Sequence, residues 1–330
     1  MALAFAGLQL LRAVAFDPND AGLGTLTKRV FGWAGQTIDC EAAKLASPCL
    51  AAYRAAGRPP AVLWLGNSQL HGVNRYQPGE STAPMLLHQA LTPKGLYLAA
   101  YSPPNANTVE YRALFDQLAL QYRVQTVIVG VSLDKFRETG VRPGLVETAA
   151  RPPRGARSPQ DQTLQATSEA WLEHALNASS GFWRERATLR SMAVYAIQVG
   201  HLRVLGVTAQ TRRPIGASLY REKMAALRGL VADARQRGIK VILYAQPYRS
   251  DVPGPTPPRQ YRAFLKDLQG LAAPGAVDVM DLTSLVPGPD WGMRKDPLYG
   301  FEDYDFMHFT AAGHRLLAQA VGQHLGVKVG

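Results

Sequence analysis

The stretch AVLWLGNS at residues 61–68 decides the fold, because five consecutive apolar residues stop at a glycine and two small polar residues. A short, continuous apolar run that ends in turn-forming residues is typical of a parallel strand buried on both faces of a sheet. We therefore predict a strand at 61–65 that leads into a loop carrying Ser68.

Segments of the same kind alternate along the rest of the chain. Further apolar runs occupy 95–100, 126–131, 239–245 and 276–282. Amphipathic, helix-like segments accompany them at about 83–91, 108–122, 217–237, 259–271 and 311–325. Strands that alternate with helices predict a parallel sheet with helices on both faces. The predicted fold class is therefore α/β, a three-layer α/β/α sandwich around a five-stranded, mainly parallel sheet of flavodoxin-like type.

The sequence divides into a leading segment and one large domain. We predict a helical segment over 1–60 and the α/β domain over 61–330. A stretch rich in Pro, Arg and Gly at 141–160 interrupts the alternation of strands and helices, and a long region of helical periodicity follows it. Residues 141–216 are therefore predicted to form a largely helical insertion or lid.

Two features near the amino terminus indicate where the protein works. The first 16 residues contain an apolar stretch, interrupted by Arg12, that is too short to span a bilayer. It is either the trimmed end of a signal or anchor helix or an amphipathic helix packed on the domain. Cys40 and Cys49, the only two cysteines, are interpreted as a local disulfide formed in an oxidising compartment such as the periplasm. The alternative is a pair of reduced, half-buried thiols.

The chain is basic, with 36 Lys and Arg against 25 Asp and Glu and a net charge of +11. Such a field attracts anionic polymers, anionic membrane faces and nucleic acid. The sequence has no run of five basic residues and no DNA-binding motif, so a nucleic-acid partner is not predicted. It also has no metal-binding cluster of cysteines and histidines and no glycine-rich phosphate loop, so no metal and no cofactor are predicted.

Polar residues follow several of the predicted strands. Ser68, Asn105, Ser132 and Asp134 each lie just past a strand end. The carboxyl ends of parallel strands meet at one edge of a sheet, so we expect these side chains to converge there. A serine hydroxyl becomes a useful nucleophile only when a base takes its proton and a carboxylate orients that base. Ser68 is the predicted nucleophile.

The base and the carboxylate are found near the other end of the chain, in DFMH at 305–308. Asp305 and His308 stand three residues apart in a predicted polar loop, immediately before the last helix. That spacing lets the carboxylate hold one ring nitrogen while the other faces Ser68. The sequence therefore predicts a catalytic triad of Ser68, His308 and Asp305.

These residues resemble the sequence blocks of the SGNH, or GDSL, hydrolase superfamily. Gly66-Asn67-Ser68 resembles its first block, and Asp305 and His308 followed by Gly313-His314 resemble its last block. The resemblance covers about 61–325 apart from the insertion, and it implies an SGNH-type sheet in which Ser68 attacks an acyl ester. The acyl-serine would then be resolved by water, as in an esterase, or by a sugar hydroxyl, as in an O-acyltransferase.

Two departures from the family pattern concern the oxyanion hole, the donors that stabilise the transition state. The family's second block supplies a glycine amide where this chain has SPPNAN at 102–107, and Asn105 can adopt the same left-handed backbone. The third block supplies an Asn side chain where this chain has GVSLD at 130–134. The predicted oxyanion donors are the Ser68 amide, Asn105, Asn107 and Ser132.

This divergent form resembles the branch of bacterial envelope proteins that move acyl groups onto or off polysaccharides, commonly beside a membrane-bound acyltransferase. The resemblance implies an acylated glycan or other acyl ester as substrate and a membrane-bound acyltransferase as partner. It also implies a periplasmic or extracytoplasmic location, with anchoring through a missing amino-terminal segment. The third-block departure leaves an alternative open, a catalytically impaired glycan-binding or scaffold module. The substrate-binding candidates are His71, Asp134, Arg249 and Arg294.

Overall fold

The structure of the chain is a computed structural model that describes residues 32–33, 36–37, 40, 42–73, 79–138, 141, 210–295 and 302–330. Only the backbone is described for 32–33, 36–37, 42–48, 294–295 and 302–303. Most of the insertion predicted at 141–216 and all of 1–31 lie outside the described residues. Apart from positions 295 and 302, the described residues belong to one compact unit. None of the described helices is long and apolar enough to cross a bilayer.

A five-stranded parallel sheet forms the centre of this unit. A short antiparallel pair and a helix precede it, namely β1 (Gly32–Trp33), β2 (Gln36–Thr37) and α1 (Ala42–Ala55). The sheet consists of β3 (Ala61–Leu65), β4 (Tyr97–Tyr101), β5 (Val124–Val131), β6 (Lys240–Ala245) and β7 (Val277–Asp281). Its strand order is β4-β3-β5-β6-β7, and every neighbouring pair is parallel. This is the flavodoxin-like order, and it places the topological switch point between β3 and β5.

Helices cover both faces of the sheet, which confirms the predicted α/β sandwich. One face is covered by α2 (Ala83–Leu91) and α6 (Ala311–His324), the other by α1, α3 (Thr108–Leu118), α4 (Ala217–Gln236) and α5 (Pro258–Gln269). Side chains of each strand alternate between two cores, so that Val62 and Trp64 lie in the core with α2 and α6 while Leu63 and Leu65 lie in the opposite core. Because both faces are buried, the strands have continuous apolar sequences, and all five predicted strands are found with ends shifted by at most two residues.

The segment before α6 differs from its prediction. The sequence predicts a polar loop there, but β8 (Trp291–Lys295) and β9 (Glu302–Phe309) form a two-stranded sheet, and DFMH lies within β9. Burial along β9 does not alternate, since Asp305 and Phe306 are both buried and Met307 and His308 are both half-buried. A strand that has neither a period of two nor a continuous apolar run gives no local sequence signal, so its pairing with β8 identifies it.

The segment from Cys40 onward packs into the sheet domain, so the boundary predicted after residue 60 is not a structural boundary. Cys40, Cys49 and Tyr53 lie in the same core as the strand β3. The Cys40 amide donates to the Ala100 carbonyl at 2.7 Å, on the outer edge of β4. Cys40 and Cys49 are joined by a disulfide with a Cα–Cα distance of 6.1 Å. The structure therefore agrees with the disulfide interpretation and not with two reduced thiols.

The Gly313-His314 pair holds α6 against its neighbours. A Cβ atom on Gly313 would lie 2.8 Å from the Phe309 side chain, so glycine leaves the room that this ring needs. His314 is fully buried, and its Nδ1 accepts the Ala83 amide at 3.2 Å. Its Nε2 therefore carries the proton and donates to the His71 carbonyl at 3.1 Å. Burial lowers the pKa of His314 to about 3, so the ring is neutral near pH 7.

The free energy of unfolding should decrease in acid because of His314. Its pKa rises from about 3 in the folded chain to 6.5 on unfolding, so its stabilising contribution is complete above 6.5 and is lost as the pH falls below that value. We expect a loss of about 2 kcal/mol from this group between about pH 7 and pH 5, measured by urea denaturation. The His314→Asn variant should lack this part of the pH dependence. Equal pH dependence in the two proteins would contradict the assignment.

Candidate active site

Ser68, His308 and Asp305 form a continuous hydrogen-bonded chain at the carboxyl edge of the sheet. Ser68 begins a single turn of 3-10 helix, Ser68–Leu70, directly after β3. Its Oγ lies 2.9 Å from His308 Nε2, and His308 Nδ1 lies 2.8 Å from Asp305 Oδ2. The three side chains that the sequence predicts as a triad are therefore brought together.

The carboxylate of Asp305 determines which ring nitrogen carries the proton. An ionised carboxylate accepts only, so His308 Nδ1–H donates to Asp305 and Nε2 is left to accept from the Ser68 hydroxyl. The second oxygen, Asp305 Oδ1, accepts the amides of Met307 at 2.8 Å and His308 at 3.0 Å. The side chains of His308 and Asp305 are 13% and 9% exposed, which strengthens these charge-assisted bonds relative to water.

The Gly66-Asn67-Ser68 loop is fixed by its own side chains. The Gly66 amide donates to the Tyr101 carbonyl at 2.9 Å, and a Cβ on Gly66 would lie 3.0 Å from Leu70 Cγ. Asn67 is extended, and its side-chain oxygen accepts the Gln69 amide at 3.0 Å, capping the short helix. The glycine thus permits the tight turn, and the asparagine directs the chain into it.

A layer of buried polar side chains supports this loop from behind. Asn67 Nδ2 donates to Gln246 Oε1 at 3.1 Å, and Gln246 Nε2 donates to the Gly130 carbonyl at 3.3 Å. Trp64 Nε1 donates to the Tyr244 hydroxyl at 3.1 Å in the same region. These bonds link β3 to β6 across the end of β5, so the three strands are held together by polar contacts as well as by their backbones.

Asn105 has the backbone conformation that its predicted role requires. Its φ is +58°, and the Ala106 amide donates to the Pro103 carbonyl at 3.0 Å, which makes a four-residue turn with Pro104 and Asn105 at its centre. Proline followed by a left-handed residue is typical of a type II turn. Lys135, which is 9% exposed, donates to Asn105 Oδ1 at 2.7 Å and holds the turn in place. Within the described residues the backbone amides of Ser68 and Asn105 donate to no protein group.

Asn107 has a role different from the predicted oxyanion donor. Its side-chain oxygen caps α3 by accepting the amides of Val109 at 2.9 Å and Glu110 at 3.4 Å. It also accepts from the fully buried Lys223 ammonium at 3.2 Å. Ser132, in contrast, lies beside the candidate site, with its hydroxyl 3.9 Å from the sulfur of Met307.

His71 links the loop after β3 to its neighbours, and its interpretation as a substrate-binding candidate stays a prediction. It is 3% exposed, and its Nε2 lies 2.8 Å from the Ser102 carbonyl oxygen and 2.9 Å from the Ser102 hydroxyl. Its carbonyl accepts from His314. His71 therefore ties the loop after β3 to the turn after β4 and to α6.

Arg249 is also occupied within the protein, against its prediction as a substrate-binding candidate. Its guanidinium binds both oxygens of Asp251, at 2.8 and 3.0 Å, and donates to the Gly292 carbonyl at 2.8 Å. It stacks on the Tyr304 ring at 4.7 Å. Since Arg249 is 7% exposed, it joins the loop after β6 to β8 and β9.

Asp134 and Arg294 are the last two substrate-binding candidates. The Asp134 carboxylate forms an ion pair with Arg137 and therefore already has a cationic partner. The Arg137 guanidinium also donates to the Arg213 carbonyl. The side chain of Arg294 lies outside the described residues.

Sequence reasoning missed Gln69 and Gln246, which are almost fully buried around the site. Gln246 is the first residue after β6, so the rule that selected Ser68 by its position after a strand would also have selected Gln246. Gln69 follows the nucleophile candidate directly, but its side chain binds the backbone carbonyls of Pro247 and Met307. No spacing in the sequence indicates such partners.

The chain aligns with several solved structures at low similarity. The alignment with a lipase/acylhydrolase from Enterococcus faecalis covers 82% of this chain and 98% of that protein, at 13% identity and a TM-score of 0.41. The alignment with a GDSL-like lipase from Bacteroides thetaiotaomicron covers 84% of this chain and 97% of that protein, at 10% identity and a TM-score of 0.41. The values for a catalytic mutant of an acetylxylan esterase from Geobacillus stearothermophilus are 81% and 94%, at 11% identity and a TM-score of 0.43.

No protein-family model matches the sequence, and no curated protein sequence matches it significantly. Similarity at this level does not determine activity. The activity of the chain is therefore inferred from its own side chains.

Replacing Gly130 should disturb the polar layer behind Ser68. An added Cβ would lie 2.6 Å from Tyr244 Cζ and 2.9 Å from Gln246 Nε2, so Gly130→Ala must displace both side chains. Overpacking of this kind typically costs about 1–3 kcal/mol, which urea denaturation measures. Gly330→Ala is the control, because a Cβ there meets nothing within 4 Å. Equal stability of the two variants would contradict the tight packing of this layer.

Proposed function

We propose that this chain is a serine-dependent acyl-ester hydrolase or O-acyltransferase of the SGNH type. The observation that supports this proposal is the unbroken chain of hydrogen bonds from Asp305 through His308 to Ser68, with distances of 2.8 and 2.9 Å. The same arrangement of carboxylate, imidazole and hydroxyl activates serine on several unrelated folds. Geometry and the role of each side chain therefore support the proposal independently of the low similarity to known structures.

The first half-reaction forms an acyl-serine. The Ser68 hydroxyl transfers its proton to His308 Nε2 while its Oγ attacks the ester carbonyl carbon, giving a tetrahedral intermediate with a negative oxygen. Asp305 remains ionised and stabilises the imidazolium through its hydrogen bond to Nδ1. When the carbon–oxygen ester bond breaks, the leaving alcohol takes the proton from Nε2 and Ser68 keeps the acyl group.

The second half-reaction releases the acyl group to an acceptor. Water or a sugar hydroxyl gives its proton to His308 Nε2 as its oxygen attacks the acyl carbon, and Ser68 recovers the proton when the bond to Oγ breaks. Water yields a carboxylic acid, and a sugar hydroxyl yields a new ester. Hydrolysis and transfer therefore use the same side chains and differ only in the acceptor.

The proposed oxyanion donors are the backbone amides of Ser68 and Asn105. Ser68 and Asn105 follow neighbouring parallel strands, and the register pairs Leu65 with Tyr101 at the ends of those strands. Preorganised amides of this kind stabilise negative charge as it develops, without needing an Asn side chain. The left-handed turn at Asn105 would direct its amide as a glycine does in the family's second block.

The backbone of Asn105 should be sensitive to β-branching. Asn105→Gly and Asn105→Val both lose the bond to Lys135, but glycine keeps access to φ near +58°, so we expect the glycine variant to retain most of the wild-type kcat for p-nitrophenyl acetate. Asn105→Val disfavours that backbone and should lower kcat by on the order of 10²-fold with little change in KM, as expected for loss of one oxyanion donor. Both variants are compared at equal folded concentration. A valine variant as active as the glycine variant would remove the Asn105 amide from the mechanism.

For the substrate we propose an acylated envelope polysaccharide or glycan, with a membrane-bound acyltransferase as partner. The location that we propose is the periplasm or another extracytoplasmic compartment. The disulfide between Cys40 and Cys49 supports an oxidising compartment, and the net charge of +11 is suited to an anionic polymer. Mass spectrometry of acetylated oligosaccharides incubated with the protein separates the two fates, since released acetate indicates hydrolysis and an acetylated acceptor indicates transfer.

A fluorophosphonate probe tests the shared chemical step. We expect covalent labelling of the wild type at Ser68, located by peptide mass spectrometry, because the probe reacts with an activated serine. His308→Ala and Asp305→Asn should label roughly 10³–10⁴-fold more slowly, since the base or its orientation is lost.

The control for this experiment is Ser284→Ala, which removes an exposed hydroxyl and should label like the wild type. If folded wild type and Ser68→Ala are equally unlabelled, the enzymatic proposal fails and a binding or scaffold module becomes the better account.

A further inference from the structure

We infer that Gln69 is a positioning residue that fixes the His308 backbone relative to Ser68; this inference rests on the proposed function. The Gln69 side chain is fully buried, and its Nε2 donates to two backbone carbonyls, Pro247 at 2.9 Å and Met307 at 2.9 Å. One amide group on the serine loop thus binds both the loop after β6 and the strand that carries His308.

The orientation of this amide is determined by its partners. An amide nitrogen has two protons to donate, whereas an amide oxygen only accepts. Turning the group around would bring an oxygen against two carbonyl oxygens, so the nitrogen must face Pro247 and Met307. The backbone of Gln69 is also fixed, because its amide donates to Asn67 Oδ1 at 3.0 Å.

The contact with Met307 acts on a rigid group next to the imidazole. The Met307 carbonyl and the His308 amide belong to one planar peptide unit. Gln69 holds the oxygen of this unit at 2.9 Å, and Asp305 Oδ1 holds its N–H at 3.0 Å. With both ends of the plane bound, the Cα of His308 has a fixed position, and the ring can meet Ser68 and Asp305 together.

The contact with Pro247 connects the Gln69 side chain to the layer of buried polar side chains behind Ser68. Pro247 follows Gln246, whose side chain accepts from Asn67. Asn67 and Gln69, on either side of Ser68, therefore bind successive residues of the loop after β6. The Gln69 side chain also binds β9. This arrangement joins two motifs that are 240 residues apart in the sequence.

Replacing a residue that has only a structural role would lower the free energy of unfolding without changing the rate per folded molecule. Gln69→Met keeps a similar volume and removes both donors. Misplacement of His308 by a fraction of an ångström to one ångström should then slow fluorophosphonate labelling of Ser68 and lower kcat by up to roughly 10²-fold, with little change in KM. The matched control is Tyr53→Phe, which also removes two hydrogen bonds of a buried side chain, to Pro59 and Arg123, at the amino ends of the strands.

Gln69→Glu adds a readout that depends on pH. An ionised carboxyl at this site would repel both carbonyl oxygens, whereas a protonated carboxyl can donate to one of them. The ratio of variant to wild-type labelling rate should therefore rise as the pH is lowered, while the ratio for Gln69→Met should not. This variant keeps the inference testable if Gln69→Met does not fold.

Three outcomes are distinguishable, with all rates divided by the folded fraction measured by denaturation. Slow labelling of Gln69→Met beside normal labelling of Tyr53→Phe, with partial recovery of Gln69→Glu at low pH, supports the inference. Labelling of Gln69→Met, or of Gln69→Glu at alkaline pH, at the wild-type rate overturns the inference while the proposed function stands. Absence of labelling in the wild type overturns the proposed function and the inference with it.

Discussion

The hydrogen bond between Ser68 and His308 is the contact on which the proposed chemistry of this protein depends. It joins residues 240 positions apart, and a single such bond contributes only about 1 kcal/mol to stability. The bond is therefore a result of the fold rather than its cause. Ser68 is held by the end of β3, and His308 by β9, so the distance of 2.9 Å between their atoms reports how accurately the two elements are placed.

That accuracy comes from combining an apolar sheet with a polar layer at its carboxyl edge. The sheet places the ends of its strands side by side, but apolar packing tolerates shifts that a proton transfer does not. Buried amides such as Gln69 and Gln246 restrict those shifts, because each displaced donor would leave a buried polar group without a partner. Glycine at position 130 leaves the space in which this layer fits.

The main elements of the fold could be predicted because their signals are local. A strand buried on both faces must be apolar at successive positions, so the run at 61–65 identifies itself, as do the other four strands. Ser68, Asp305 and His308 could be predicted because the chemistry needs those residue types after a strand and at a short spacing. Asn105 could be predicted because few residues adopt a positive φ.

The remaining features depend on contacts between distant parts of the chain. β9 is defined by its pairing with β8, and its burial pattern lacks the alternation that would identify it. The position of Arg249 in a loop at the active edge predicts a substrate contact, but Asp251 already binds its guanidinium. Whether a polar side chain meets substrate or protein depends on neighbours that the local sequence does not specify.

If Ser68 carries the acyl group during turnover, that group can be trapped on it. The protein is mixed with p-nitrophenyl acetate, quenched in acid during the first turnover, and analysed by peptide mass spectrometry. We expect an acetyl group on Ser68 that forms with the release of nitrophenol and disappears as substrate is exhausted. Turnover without acetyl-Ser68, or equal turnover by the Ser68→Ala variant, would contradict this role of Ser68.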